Sequence, residues 1–588
     1  MHLPKLRIRL AIFVAFSLQS LPVGAAAGNV DPLYTGSIDG PVYSTAVQRD
    51  GKIVIGGGFS RTGTALRNNI ARLDATGAVD AGFNPVVDSD VLAAAIQNDG
   101  QIIIGGGFTV VGGEDRNNIA RLSSSGSIDT GFTPNVDNQV HSIVIQPDGK
   151  IIIGGNFSMV SGQPRNGIAR LNSNGTLDLA FNPDVNGSVY CILVQEDGGI
   201  VIGGVFTAVS EVDRNNIARL TAGGVLDPAF DPNLTGRVFC MAMQADGKTL
   251  IGGGFTMVGE VPRNRLARLN ADGTLDLEFD PDLNAPVRSL ALQTNGKIVI
   301  GGYFTTVGSY GRSNIARVNP DGTVDTFFAP QADDRVWSTV LQPDGKILVG
   351  GDFTVIGGVA RSYLTRLQND TATQSLTAPY TSRIEWLRIG ASPEVSQVNF
   401  ELSTDSGSTW TPLGPGSRIA GGWERRGLSL PTHSRIRALG SVSGGQYNSS
   451  TGQLETVTLI AEFPPLNPLE SWRATYFGAP DNAGFGADTA DADNDSVTNL
   501  VEFAFGLDPL KDSSGLLPAW QKAGNNLVMS FVPPPGLGAL TWIAEQSPSM
   551  VAGTWTAIPN TATLPAHSFS VSTTGGPRLF LRLRVTSL

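Results

Sequence analysis

Apolar and polar positions alternate in short blocks over most of the chain. Val42–Val47 is an apolar run, followed by a polar turn ending Asp50-Gly51, whose residues tolerate the positive φ of a hairpin. Lys52 to Phe59 reads as a second strand, with internal glycines that mark a bulge or a close backbone approach. Asn69 to Leu73 reads as a third, and a turn at Gly77 leads to a short fourth piece around Val79, Asp80 and Phe83. The block then repeats. The Gly-Gly-x-Phe signature at Gly56-Gly57-Gly58-Phe59 recurs at Phe108, Phe157, Phe206, Phe255, Phe304 and Phe353, always 49 residues on. Seven copies of a four-stranded unit of this length predict a seven-bladed β-propeller. A one-rung β-helix needs a shorter period, and no 3.6-residue pattern supports a helical solenoid.

The chain ends predict a closed ring. The seventh unit stops after Leu367 without its fourth piece, and Val30-Asp31-Pro32-Leu33-Tyr34 aligns with Val79–Phe83 at the same offset of 49. One blade is therefore expected to combine both ends of residues 28–370, hiding two sheet edges. The units Gln-x-Asp-Gly-Lys, Ile-Gly-Gly-x-Phe, Asn-Ile-Ala-Arg-Leu and Leu-Asp-x-x-Phe resemble the bacterial delta-60 repeat, a β-propeller family of unknown function. The resemblance implies the fold and export, and supplies no catalytic residues.

Residues that repeat with the blade point to construction. Arg67 and Arg72 have equivalents through Arg361 and Arg366, and Asp31, Asp80, Asp129, Asp178, Asp227, Asp276 and Asp325 form a matching set. They are expected to tie strands and blades. One position varies while its neighbours stay fixed: Tyr43, Leu92, His141, Tyr190, Phe239, Arg288 and Trp337. On first strands these would ring one channel mouth, beside loops carrying Asp39, Asp88, Asp137, Asn186, Thr235, Asn284 and Asp333. Two uses are open, inter-blade packing or a ligand platform in which Tyr43, His141, Tyr190, Phe239, Arg288 and Trp337 stack on sugars and bond hydroxyls. The small residues that follow include Cys191 and Cys240, equivalent on adjacent blades, which either pair or remain separate core thiols.

Beyond the propeller, strand-like runs separated by Gly, Pro and Ser turns predict a β-sandwich-like domain over 376–461. Within it, Ser403 to Trp410 resembles the Asp-box hairpin of sialidases, where the Asp stabilises a turn away from the active site. Residues 466–510 read as helix, loop, helix. Asp491, Asp493, Asp495, Val497, Asn499 and Glu502 fall at positions 1, 3, 5, 7, 9 and 12 of an EF-hand or dockerin-like calcium loop. Hard oxygen donors at that spacing predict one structural Ca2+, although Ser496 stands where Gly is usual. Strands return in a small C-terminal β-domain, 518–588, which with its calcium loop resembles C-terminal modules of large exported bacterial proteins. The fold class is thus all-β: propeller, sandwich-like domain, short helical calcium segment and small β-domain.

Composition narrows the chemistry. Lys5, Arg7 and Arg9, the apolar stretch Leu10–Leu21 and Ala25-Ala26-Ala27 read as an export signal over residues 1–27, too short to span a bilayer. The mature chain is expected to be secreted or on the cell surface. A net charge of −11 disfavours nucleic acid as a partner. Four His exclude a His-rich metal centre, and the Gly-Gly pairs lie inside strands, not at a phosphate-binding helix N-terminus. Besides a purely structural surface-layer component, two readings of function remain. One is a non-enzymatic binding or adhesion scaffold for a glycan or protein. The other is an extracellular carbohydrate-active enzyme using mouth carboxylates, for which Asp88, Asp90, Asp333 and Asp334 are the candidates.

Overall fold

The computed structural model describes residues 26–445, 450–538, 540–548, 554–573 and 580–587. The expected export signal, apart from Ala26 and Ala27, lies outside them. In the first blade an inner strand Val42–Val47, a middle strand Ile53–Gly57 and an outer strand Ile70–Leu73 pair antiparallel. The arrangement recurs seven times, ending with Val336–Leu341, Ile347–Gly351 and Leu364–Leu367.

Two details differ from the expected four strands. The fourth piece is a single bridge, Leu73 to Val79, because the backbone turns back within three residues as the Phe83 N–H donates to the Asp80 carbonyl at 3.2 Å. The link between middle and outer strands forms its own two-residue hairpin, Arg61–Thr62 against Ala65–Leu66.

Apolar side chains fill the spaces between blades. Ala46, Val54 and Ile70 of the first blade pack with Val91, Ile102, Ile104 and Phe108 of the second. A fully buried Ile or Phe contributes about 1.5–3 kcal/mol relative to exposure, so these contacts hold the ring. The glycine pair is forced by the same packing. A Cβ on Gly56 would lie 2.5 Å from the Val91 side chain of the next blade, and one on Gly57 2.0 Å from the Pro41 carbonyl.

The ring closes as the sequence offset implied. Val30 bridges Leu367, and the Asp31 N–H donates to the Arg366 carbonyl at 2.8 Å. Arg366 Nε reaches the fully buried Asp31 carboxylate at 2.8 Å, as Arg72 reaches Asp80 at 2.9 Å within a continuous blade. Each such arginine lies over the aromatic ring three residues beyond its Asp, Phe83 for Arg72 at 4.6 Å and Tyr34 for Arg366 at 5.1 Å. Its second nitrogen reaches the next blade, where Arg170 donates to the Ala222 carbonyl at 2.7 Å. The repeated Arg–Asp set is therefore structural.

Strands Ala372–Tyr380, Arg383–Gly390, Ser417–Ile419 and Gly422–Arg425 form one sheet. It faces a second made of Val398–Ser403, Thr411–Pro415, Ser434–Gly444 and Ser450–Ile460, across a core around Trp386, Phe400, Trp423 and Ile436. The sandwich is not a separate bead. Its long hairpin, Ser434–Gly444 and Ser450–Ile460, enters the propeller channel from the face carrying the Asp-Gly turns. Thr451 pairs in parallel with Ala95 on an inner strand. Ser450 Oγ lies 2.9 Å from Ser44 Oγ, and Gln453 takes a bond from Arg49 at 2.7 Å and donates to the Ile96 carbonyl at 3.1 Å. The propeller thus has a plug supplied by the following domain.

Helix α1, Pro468–Phe477, begins at an Asn467–Glu470 capping box and ends at left-handed Gly478. Helix α2, Asn499–Phe505, ends likewise at Gly506. The C-terminal strands form two three-stranded sheets around Ala544, Ile558, Phe569 and Val571. Among the described residues no helix is long and apolar enough to cross a membrane.

Candidate functional site

The variable ring owes its orientation to a backbone irregularity. Every inner strand slips register at this position: Val42 pairs with Gly57 and Ser44 with Gly56, leaving Tyr43 unopposed. The same bulge occurs at Leu92, His141, Tyr190, Phe239, Arg288 and Trp337. A bulge re-aims one side chain without breaking the strand. Here it brings six of the seven together, at the channel end opposite the one through which the hairpin enters. Tyr43 meets Trp337 edge-on at 5.8 Å, His141 meets Tyr190 at 5.2 Å and Tyr190 meets Phe239 at 5.6 Å. Arg288 lies over Phe239 at 3.6 Å and also faces Trp337 at 5.5 Å. The six expected ligand residues are thus brought into one aromatic and cationic floor. Burial lowers the His141 pKa to about 4, against a hydrogen bond with the Asn156 side chain that raises it, so the imidazole is neutral at pH 7.

The loop acids behave differently from the expectation. Asp88 accepts from the Thr109 N–H at 2.9 Å, its hydroxyl at 2.7 Å and the Val110 N–H at 3.0 Å. Asp333 does the same with Thr354 and Val355. Against the burial that raises them, these bonds hold both carboxyls below the usual range. Both are turn clamps, equivalent to Asp39 on Ser60 and Arg61. Asp334 is spent on the Arg335 N–H at 2.8 Å.

Asp90 is of another kind. Burial raises its pKa, and Gly58 leaves room for it, since a Cβ there would lie 2.9 Å from Asp90 Oδ1. On the other side of Tyr43 stands Asp352, also raised by burial and by Asp334, with Arg335 at 3.6 Å. Burial and the fields of both acids push the Tyr43 hydroxyl up to about 12. Tyr303 completes this tier, meeting Trp337 at 5.1 Å and Arg288 at 4.7 Å. Sequence reasoning overlooked Asp352 and Tyr303. Both occupy the variable x of Gly-Gly-x-Phe, a signal of the same kind as the one that found the ring.

Cys191 and Cys240 are separate buried thiols, and burial raises both above the usual thiol range. In the sandwich, Asp405 accepts from the Thr409 N–H at 2.9 Å and the Ser403 hydroxyl at 2.7 Å, closing a surface hairpin far in sequence from the ring.

The acidic loop gathers three of the six expected donors. Carboxylate oxygens of Asp491, Asp493 and Asp495 lie within 4.8 Å of one another. Asn494 and Ser496 take positive φ, 63° and 73°, so the loop wraps despite the missing Gly. Glu502 is fully buried and neither oxygen accepts a hydrogen bond, and Asp493 Oδ2 and Asn499 Oδ1 are equally unserved. Burial, opposed by the neighbouring Ser513 side chain and helped by the three nearby acids, pushes Glu502 up to about 7. Three clustered carboxylates, with the buried unserved oxygens of Asp493, Asn499 and Glu502 on the same loop and helix, fit a hard cation.

No curated protein matches this chain at a significant level. Among solved structures, streptogramin B lyase is similar at 18% identity and TM-score 0.36, over 57% of this chain and 97% of that one. The WD40 β-propeller domain of Doa1 is similar at 13% and 0.30, over 50% and 96%. The plexin A4 extracellular region is similar at 9% and 0.28, over 94% and 82%. Likeness at this level carries no functional argument. The repeats themselves match a family: residues 48–83, 97–132, 146–181, 195–230, 244–279, 293–328 and 342–370 each match the DUF5122 β-propeller, a domain of unknown function. The propeller of this chain belongs to that DUF5122 β-propeller family.

Proposed function

We propose that this chain is an exported, non-enzymatic binding scaffold, and that it takes a glycan at the aromatic mouth of its channel. The reading is carried by one observation. The bulged position is the place where seven near-identical blades differ, and its side chains converge as Tyr43, His141, Tyr190, Phe239, Arg288 and Trp337. His141 and Phe239 are buried in mutual packing, while Tyr43, Tyr190, Arg288 and Trp337 stay partly exposed. A platform for an asymmetric ligand asks for side chains that differ around the ring. Aromatic faces suit sugar rings, while Asp90, Asp352 and Arg335 offer acceptors and donors for hydroxyls. The hairpin reaches Ser44, beside Tyr43, and so backs the ring from within the channel. Calcium at Asp491, Asp493, Asp495, the Val497 carbonyl, Asn499 and Glu502 would fix the segment joining sandwich and C-terminal domain.

The test is a glycan-array screen of the full chain, followed by titration of any hit against Trp337→Ala and Tyr43→Ala. Loss of binding in both variants at unchanged melting temperature supports the mouth. Retention of binding by both refutes it. The raised carboxyls Asp90 and Asp352 favour a second reading, a carbohydrate-active enzyme with an acid–base pair. It requires turnover of a polysaccharide that Asp90→Asn or Asp352→Asn abolishes while binding persists.

A further inference from the structure

On the strand Arg383–Gly390, Ile384, Trp386 and Arg388 share the buried face by the two-residue period of a strand. An apolar residue is expected at the third position. Arg388 stands there instead, 2% exposed, and none of its three guanidinium nitrogens has a hydrogen-bond partner. Its charge lies 4.5 Å from the Trp386 ring, whose indole N–H also lacks an acceptor. Burial lowers the Arg388 pKa to about 10, so the group stays a cation at pH 7.

Arg388 lines a cavity of about 70 Å³ between sandwich and propeller, walled by Ala245, Thr294, Gly422 and Trp423. The nearest acid, Glu394, lines the same cavity without a hydrogen bond to Arg388 and is paired with Arg418, whose Nη1 donates to it at 2.7 Å while its Nε bonds Glu196 at 3.0 Å. Arg418 and Trp423 also line a second cleft of about 400 Å³, where Gln146, Gln195, Gln397 and Asn399 supply amides. An inner chamber with an unanswered guanidinium thus adjoins an outer one rich in neutral hydrogen-bonding groups.

The geometry points to a binding site for a sugar acid in this interdomain cleft, the carboxylate held by Arg388 and the hydroxylated ring by the outer amides. Burying five N–H donors without an acceptor is costly, and a carboxylate matches the planar guanidinium fork in two parallel bonds. The inner volume exceeds the ~10–15 Å³ that one water requires, which leaves space for a carboxylate. Saccharide hydroxyls suit amides that both donate and accept. The site is separate from the channel mouth and does not depend on the function proposed for it.

The test is calorimetric titration of the full chain with D-galacturonate, D-galactose and acetate. Galacturonate binds, and galactose and acetate bind at least tenfold more weakly. Arg388→Met removes galacturonate binding and leaves the ligand-free melting temperature unchanged or higher, because no hydrogen bond is lost and an apolar side chain still covers Trp386. Should that variant fail to fold, Ala245→Phe decides, since it fills the inner chamber from an exposed loop position. It too abolishes binding, whereas Trp337→Ala at the mouth does not. Absence of galacturonate binding, binding undiminished in Ala245→Phe, or equal affinity for galactose or acetate overturns the assignment.

Discussion

The substitution Asp31→Asn isolates the bond that closes the ring. Asp31 is fully buried and takes charge-assisted bonds from Arg366 at 2.8 Å and Lys346 at 3.1 Å, with the Leu33 N–H at 3.1 Å. Asn keeps the shape and one acceptor but leaves two cations facing a neutral group. Breaking a buried pair costs about 3–5 kcal/mol, and the retained acceptor puts the loss near ~3 kcal/mol. At roughly 2 °C per kcal/mol for a large domain, the melting temperature falls by about 6 °C. The internal control is Asp129→Asn. Asp129 bonds Arg121 at 2.8 Å, is a quarter exposed, and faces Gln101 where the closing blade has Lys346. Its loss is expected near ~1 kcal/mol. Differential scanning calorimetry of both variants measures the contrast. Burial raises the Asp31 pKa, but Leu33, Lys346 and Arg366 together bring it below 3.8. Its contribution is therefore complete above the unfolded value and disappears as pH falls through the lower folded one, so wild type and Asp31→Asn converge in acid. Equal losses in the two variants, or a loss under ~1 kcal/mol for Asp31→Asn, would refute a ring held by this pair.

Three further outcomes follow from the same reasoning. Adding Ca2+ to chelator-treated protein raises the melting temperature, and Glu502→Gln removes most of that rise; identical curves with and without calcium refute the ion site. His141 has a folded pKa of about 4 against 6.5 unfolded, so stability is complete above pH 6.5 and declines towards pH 4 by up to about 3 kcal/mol; urea titrations of His141→Gln show that slope flattened. Gln453→Ala loses bonds to Arg49, Ile96 and Asn98, a cost of about 1–3 kcal/mol. Proteolysis of the sandwich hairpin accelerates if those bonds seat the plug, and an unchanged rate speaks against them.

Much of the candidate site was legible because repetition supplies its own control. With seven copies in one chain, a residue that varies while its neighbours stay fixed stands out, and Tyr43 to Trp337 was found that way. The loop acids misled because exposure and charge do not reveal hydrogen bonding. Asp88 and Asp90 are two residues apart, yet one is clamped by Thr109 and Val110 while the other is left half-buried beside Gly58. Asp352 stands at the variable position of Gly-Gly-x-Phe, where variation among fixed neighbours carries the same signal as on the inner strand.

The sequence alone determined the blade, the number of blades and the closure, since each follows from local strand periodicity and a constant 49-residue offset. It also placed an acidic loop between two helices, whose requirements lie within a dozen residues. Tertiary structure decided that the sandwich hairpin enters the channel, where Ser450 meets Ser44 and Gln453 meets Arg49 across some 400 positions of chain. It also decided that Arg388 faces a cavity between two domains. Such contacts depend on shape and volume complementarity between distant surfaces, which leave no periodic trace along the chain.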